Sequence, residues 1–333
     1  MIPELSVGID YHQDALQVCV LDSYGRVRVN RRIENDIGEL IRAVGENGKN
    51  VVVAAEACNG SASLLDDLHR RTSWTVKLCH PGYAHRMKNN PDKTDKSDGE
   101  LLADLTRIGY LPEVWLAPAE LRDLRALVRY RAQQMKEARE TKVRIRALLR
   151  NNRISQPVGS SLWTKAGRGW LSTGAGLTGH SEWILGRHLS ALQNLLLEVK
   201  LATLRIAAYV KQDPICQKLL QHRGIGIVTA AVMRAEIGTF TRFKTGKQLA
   251  RYCGLSPCNR SSGNVVSDSG VIKAGNKVLK ACITQGVWTL IRYDERWKAF
   301  SQSLLAQGKP KGVVASAVAN RWIRRLFHDV KNY

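Results

Sequence analysis

Three short apolar runs open the chain. Residues 5–10, 16–21 and 27–33 read as strands, the last with Val27, Val29 and Ile33 on one side of a period-two pattern. Ser23-Tyr-Gly25 supplies a turn between the second and third. Residues 36–44 have helical spacing, and 51–55 is a β-branched run of the kind buried on both faces of a sheet. Residues 61–71 read as a helix, 74–79 as a strand and 95–109 as a helix. A three-strand meander followed by strands alternating with helices predicts an α/β domain over 1–112.

The rest is mainly helical in pattern. Over 119–153, Leu121, Leu124, Leu127 and Val128 recur at spacings of three and four, amid eleven Lys/Arg and four acids. Such a stripe is ordinarily the solvated face of a packed helix, and its arginine density also suits a nucleic-acid-facing side. Residues 165–180 are rich in Gly, Ser and Thr and read as a mobile loop. A second helical run, 182–211, is strongly apolar; it pairs with the first as an antiparallel coiled coil or joins a dimer core. Residues 113–212 thus form a helical linker, with Pro214 marking its end, and 213–333 a mostly α-helical C-terminal domain. His222-Arg-Gly-Ile-Gly before an apolar helix is similar to a helix-hairpin-helix turn, whose amides suit a phosphate oxygen, although Gly-x-Gly alone serves an ordinary turn equally well.

Charge narrows the partners. Lys and Arg outnumber Asp and Glu 51 to 29, a net charge of +22, and that excess points to a polyanion. No uncharged stretch approaches a membrane span and no basic amphipathic segment with exposed aromatics stands out, so a membrane is not expected. The start lacks a basic n-region, and seven scattered cysteines without a Cys-x-x-Cys fit reduced thiols in a cytoplasmic protein rather than disulfides or zinc.

Four acids carry the candidate chemistry. Asp10 and Glu56 end apolar runs; Asp95 and Asp98 follow in Lys93-Thr-Asp-Lys-Ser-Asp98 and share one helical face. Oxygen ligands from several elements suit Mg2+, with Mn2+ as the alternative, and paired ions of that kind stabilise phosphoryl transfer. Each acid alone has an ordinary explanation, such as helix capping, and Thr94 is placed to cap the helix itself. His12 reads as a surface or supporting residue rather than a ligand. Lys93 and Lys96 flank the acids and could grip a phosphate or simply be solvated. Ser261-Ser262-Gly263, read in isolation, is a turn; a serine there is also chemically able to attack phosphorus.

Taken in order, Gly8-Ile-Asp10, Ala55-Glu56-Ala, Lys93-Thr-Asp-Lys-Ser-Asp98, His222-Arg-Gly-Ile-Gly, Gly254-Leu-Ser-Pro257, Arg260-Ser-Ser-Gly263 and Ile272-Lys-Ala-Gly-Asn276 resemble the DEDD transposases of the insertion sequence 110 family, kin of the Piv-type DNA invertases. The resemblance spans nearly the whole length. It implies a ribonuclease-H-like (RuvC-like) N-terminal domain, a helical linker and a C-terminal transposase domain. It implies metal held by Asp10, Glu56, Asp95 and Asp98, and Ser262 as nucleophile with Ser261 as the fallback. Nucleic-acid contacts are expected at Lys93, Lys96, Arg260, Lys273, Lys277, Lys309 and Lys311. The partners it implies are donor and target double-stranded DNA, a structured guide RNA from the element, and further copies of the chain as a dimer or tetramer. Two departures stand out: Gly99 where many relatives have Ala, and no glycine pair after the serines. The 165–180 segment has no counterpart in the family pattern. Two rival readings are a Holliday-junction-type nuclease using water and a non-catalytic nucleic-acid-binding protein.

Overall fold

The computed structural model describes residues 2–45, 50–84, 87, 94–157, 161–259, 268–272 and 275–332. Contacts divide the chain into two compact units, Met1–Ala119 and Glu120–Tyr333.

In the first unit, β1 (Leu5–Tyr11), β2 (Ala15–Asp22) and β3 (Val27–Glu34) form an antiparallel meander. Asp22 Oδ1 accepts from the amides of Tyr24 at 3.0 Å and Arg26 at 2.9 Å, closing the β2–β3 turn, where Gly25 adopts φ 84°. Helix α1 (Ile37–Val44) starts at Asp36, which accepts from Glu39 N. Then come β4 (Val51–Glu56), α2 (Ser61–Arg71), β5 (Thr75–Cys79), the single turn α3 (Pro81–Ala84), α4 (Asp95–Arg107) and a short β6 (Glu113–Val114). The sheet order is β3-β2-β1-β4-β5-β6, with β4 parallel to β1 and to β5. A mixed α/β sheet with a parallel half is the expected class.

Strand alternation decides which helices each face meets. Leu5, Val7 and Ile9 of β1 and Val51, Val53 and Ala55 of β4 join the core beneath α1 and α2, with Leu40, Leu65, Leu68 and Trp74. The alternate residues face α4. Gly8 sits directly beneath that helix, where a Cβ would run into the Gly99 carbonyl oxygen and stand 2.5 Å from Ala103 N. Both obstacles are backbone, so the helix itself would have to move. Gly8→Ala is therefore expected to destabilise the first unit by roughly 1–3 kcal/mol in urea unfolding. Gly99→Ala is the control: its Cβ would meet Cys19 Cβ at 3.6 Å, ordinary contact, and helix propensity favours Ala by up to about 1 kcal/mol. Equal effects from the two substitutions would contradict this packing.

The second unit begins with α5 (Ala119–Asn151) and α7 (Gly179–Gln212). They run antiparallel: Tyr130 donates to Glu198, Arg131 to Thr203, and Ile145 and Leu149 share a core with Leu185 and Leu192. The expected buried stripe is present at Leu121, Leu124 and Val128. The mobile loop expected over 165–180 is corrected. Residues 165–172 form α6 (Lys165–Ser172), capped by Thr164, and Gly174–Gly176 is a 3-10 turn. Leu171, Ala175 and Leu177 are buried against α5 and α7. The glycines serve geometry: Gly167 permits close approach to the Ser161–Leu162 backbone, and Gly174 and Gly176 take φ 81°.

Asp213 ends α7 and caps α8 (Pro214–Leu220), accepting from Cys216 N at 2.7 Å. The helices α9 (Ile227–Ile237), α10 (Gly246–Tyr252), α11 (Lys277–Tyr293), α12 (Glu295–Ala306) and α13 (Lys311–Val330) complete the unit. Between α10 and α11 lies the antiparallel pair β7 (Pro257–Asn259) and β8 (Asp268–Val271). No helix among the described residues is long and apolar enough to cross a membrane, and all seven cysteines are free.

Candidate active site

Three of the four acids are set by the packing just described. Ile9 pairs with Ala55 across the parallel β1–β4 ladder, so Asp10 and Glu56 follow side by side at the carboxyl ends of adjacent strands. Both belong to the alternate set facing α4. That helix runs antiparallel to β1, and Asp95 lies one turn before Gly99, over the same strand end. Thr94 caps α4, accepting from Ser97 N at 3.2 Å, while Ser97 Oγ accepts from Thr94 N. Asp95 and Asp98 occupy the first turn, where the helix dipole favours negative charge.

His12 joins them. Its Nε2 lies 3.4 Å from Asp10 Oδ2 and 3.3 Å from Asp95 Oδ2. Donor atoms of Asp10, His12 and Asp95 all lie within 4.8 Å of one another. Burial raises the Asp10 carboxyl above the ordinary carboxylate range; His12 pulls it back, and the charges of Asp95 and Asp98 push it up again. Glu56 acts on the neighbouring Cys79 thiol, which burial first and then this charge push up to about 11. Like charges crowded at one strand end are the condition a divalent cation relieves, and carboxylate oxygens are the donors hard cations take. The donor set therefore fits such an ion. The exposed imidazole of His12 spans two acids, a supporting position that sequence could suggest only through its place two residues after Asp10.

The other expected residues divide. Lys96 is exposed in the first turn of α4, and its carbonyl accepts from Asn30 at 3.4 Å. Lys277, Lys309 and Lys311 are exposed in the second unit. Lys93, Arg260, Ser261, Ser262 and Lys273 lie outside the described residues.

The flanks of the serine segment are described, and they are pinned. Gly254 and Gly275 meet so closely that a Cβ on Gly275 would occupy the Gly254 backbone. Asn276 N donates to Tyr252 O at 2.9 Å, Ile272 N to Ser256 O at 3.0 Å, and Asn320 to Leu255 O at 3.1 Å. Beneath them Glu236, 2% exposed, takes Arg129 Nε at 3.0 Å and Nη2 at 2.8 Å on one oxygen and Asn276 at 2.8 Å on the other. Arg125 stands 3.4 Å from the second oxygen and donates to Ala235 O. Tyr252 Oη donates to the Glu236 carbonyl at 2.8 Å. The motifs 254–257 and 272–276 thus serve to fasten both ends of that segment to α5 and α9. Glu236 and its two arginines escape sequence reading, because an acid within an apolar helix carries no spacing signal.

Comparison with known proteins identifies the family. The DEDD transposase model matches residues 7–153, and the model described as Transposase IS116/IS110/IS902 family matches residues 216–302. The chain is 25% identical over 288 residues to the transposase for insertion sequence element IS1111A of Coxiella burnetii, covering 86% of this chain and 78% of that one. It is 28% identical over 340 residues to a "Probable family 20 transposase" of Pseudomonas aeruginosa, covering 96% and 95%. It is 21% identical over 281 residues to the transposase for insertion sequence element IS1328 of Yersinia enterocolitica, covering 84% and 81%. With both halves of the chain matched by IS110 transposase models, this protein belongs to the IS110 family of insertion-sequence transposases.

Proposed function

We propose that this transposase cuts and rejoins DNA through a phosphoserine intermediate at Ser262. In this reading Asp10, Glu56, Asp95 and Asp98 hold Mg2+, or Mn2+ in its stead, in a ribonuclease-H-like domain. The observation that carries it is the meeting of Asp10 and Asp95 about His12, with Asp98 close enough to raise the Asp10 carboxyl and Glu56 ending the adjoining strand. Water-only hydrolysis would need the acids alone. The fastened flanks of the serine segment favour a second reacting group.

A bound divalent cation supplies neutralisation of charge on the phosphoryl oxygens. The carboxylates orient that charge, and His12 holds Asp10 and Asp95 in place. Ser262 Oγ attacks phosphorus; its O–P bond forms as the bond to one DNA end breaks. The serine proton leaves with that end, which departs as a hydroxyl. A hydroxyl from a partner strand later attacks the ester, restoring the serine. The ester conserves the bond's free energy, so no nucleotide is consumed. Lys93, Lys96, Arg260, Lys273, Lys277, Lys309 and Lys311 steady the backbone phosphates.

The division of labour is a RuvC-like domain over 1–112, a helical linker over 113–212 and a transposase domain over 213–333. A structured guide RNA selects donor and target duplexes, gripped by arginine-rich helices. The chain works as a homo-oligomer, dimer or tetramer. Leu197, Leu201 and Leu204 of α7, 52%, 48% and 58% exposed, are spaced like one seam of a helix pair and support this.

A duplex nicked so that one product diffuses away tests the serine step. The wild-type protein is expected to remain covalently joined to DNA after denaturation, and Ser262→Ala to leave no adduct. Cleavage by Ser262→Ala at the wild-type rate would favour a Holliday-junction-type nuclease and end the phosphoserine reading.

A further inference from the structure

Three hollows adjoin one another on the C-terminal helices. One of about 290 Å3 is lined by His222, Arg223, Arg296 and Arg325 and by two carboxylates, Asp294 and Asp329. The next, about 700 Å3, shares Arg296 and Arg325 and adds Arg321, Arg324 and His328, with no carboxylate in its wall. The third, about 340 Å3, shares Arg324 and His328 and adds Lys244, Lys247 and Lys331. The shared residues join them into one track, free of carboxylates along the second and third hollows and flanked by Asp294 and Asp329 at the first.

Helix periodicity builds it. Arg321, Arg324, Arg325 and His328 fall three and four apart on α13, opposite the buried Trp322, Ile323, Leu326 and Phe327. Among the described residues, Arg296, Arg321, Arg324 and Arg325 form no ion pair with an acid. Four guanidiniums around one hollow repel each other and call for an external anion. The family models stop at residue 302, so the α13 cations lie outside what they match.

The aromatic residues indicate which anion. The Arg321 guanidinium covers the Phe300 ring at 4.0 Å, and that of Arg296 lies 5.4 Å from the Trp297 ring, which is itself buried. These rings are engaged by arginines, which hold the guanidiniums in place along the hollow. Single-strand sites stack bases on free aromatic faces, whereas the aromatic rings here already carry arginines and the track presents chiefly positive charge. Fixed charges in a row suit a regular phosphate backbone.

We propose that this track seats the phosphate backbone of duplex DNA, the nucleic acid on which a transposase acts. The assignment is independent of Ser262 and the four acids. It is tested by equilibrium binding of the full chain, without divalent cations, as a function of salt. The probes are a DNA duplex, its single strand and an RNA stem-loop. R296Q/R324Q/R325Q is expected to weaken duplex binding and flatten the log–log salt slope by roughly 2–3, at about 0.9 for each phosphate no longer neutralised. R296K/R324K/R325K is expected to keep the wild-type slope, since a point charge suffices for phosphate. R70Q/R71Q/K200Q removes equal formal charge from exposed positions on α2 and α7 and is expected to leave the duplex slope nearly unchanged. An equal fall in both Gln triples, or a loss confined to the RNA or single-strand probe, would overturn the proposal. So would a lysine triple that folds yet behaves as the Gln triple.

Discussion

Asp10→Asn is expected to abolish DNA strand cleavage while leaving DNA affinity unchanged. The substitution keeps the side chain's shape at the end of β1 and removes its charge. Charge stabilisation at such a centre is worth several kcal/mol, and each 1.36 kcal/mol is a factor of ten, so single-turnover cleavage should fall by about 10³-fold. Asp95→Asn should behave alike, because its carboxylate reaches the same His12 nitrogen. His12→Ala should cost less, roughly 10–100-fold, the usual penalty for losing a group that orients ligands. Wild-type cleavage by Asp10→Asn would remove the acids from the chemistry.

The largest stability effect is expected at Glu236. Its side chain is 3% exposed, and Arg125 and Arg129 are the cations that face it. Removing the cations from a buried carboxylate costs about 3–5 kcal/mol, far more than the pair gains when intact. Arg125→Ala combined with Arg129→Ala should therefore lower the unfolding midpoint of the second unit by roughly 10 °C. Adding Glu236→Gln should recover much of that loss, because the uncompensated charge is then gone. A triple variant no more stable than the double would show that the arginines act through packing alone. Since Glu236 also holds Asn276 and Tyr252, the double variant should loosen both flanks of 260–267.

How much of this is legible in the sequence follows from the physics of each signal. The longer strands and helices of the first unit are readable from their apolar runs and helical spacing, and because Asp36 and Thr94 cap where helices begin, while the short α3 and two-residue β6 carry too few residues to show a pattern. Asp10, Asp95 and Asp98 are readable as a set, since strand ends and a helix's first turn are local features. What brings them together is not readable. The Gly8–Gly99 approach joins backbones of residues ninety-one apart, and a glycine's spacing does not announce its partner. The 165–180 segment misleads because glycines that allow close approach and left-handed turns look, in sequence, like glycines that confer mobility. The basic track of α13 is likewise hidden: its charge is visible, but the covering of Phe300 and Trp297 by arginines is tertiary.

The central claim is that the acids at the carboxyl edge of β1 and β4 hold a divalent cation. Electron paramagnetic resonance of Mn2+ added to the protein with an uncut duplex tests it directly. The account predicts bound Mn2+ in the wild-type complex, and its loss in Asp10→Asn and Asp95→Asn with DNA still bound. Equal Mn2+ uptake by the wild type and both variants would contradict it.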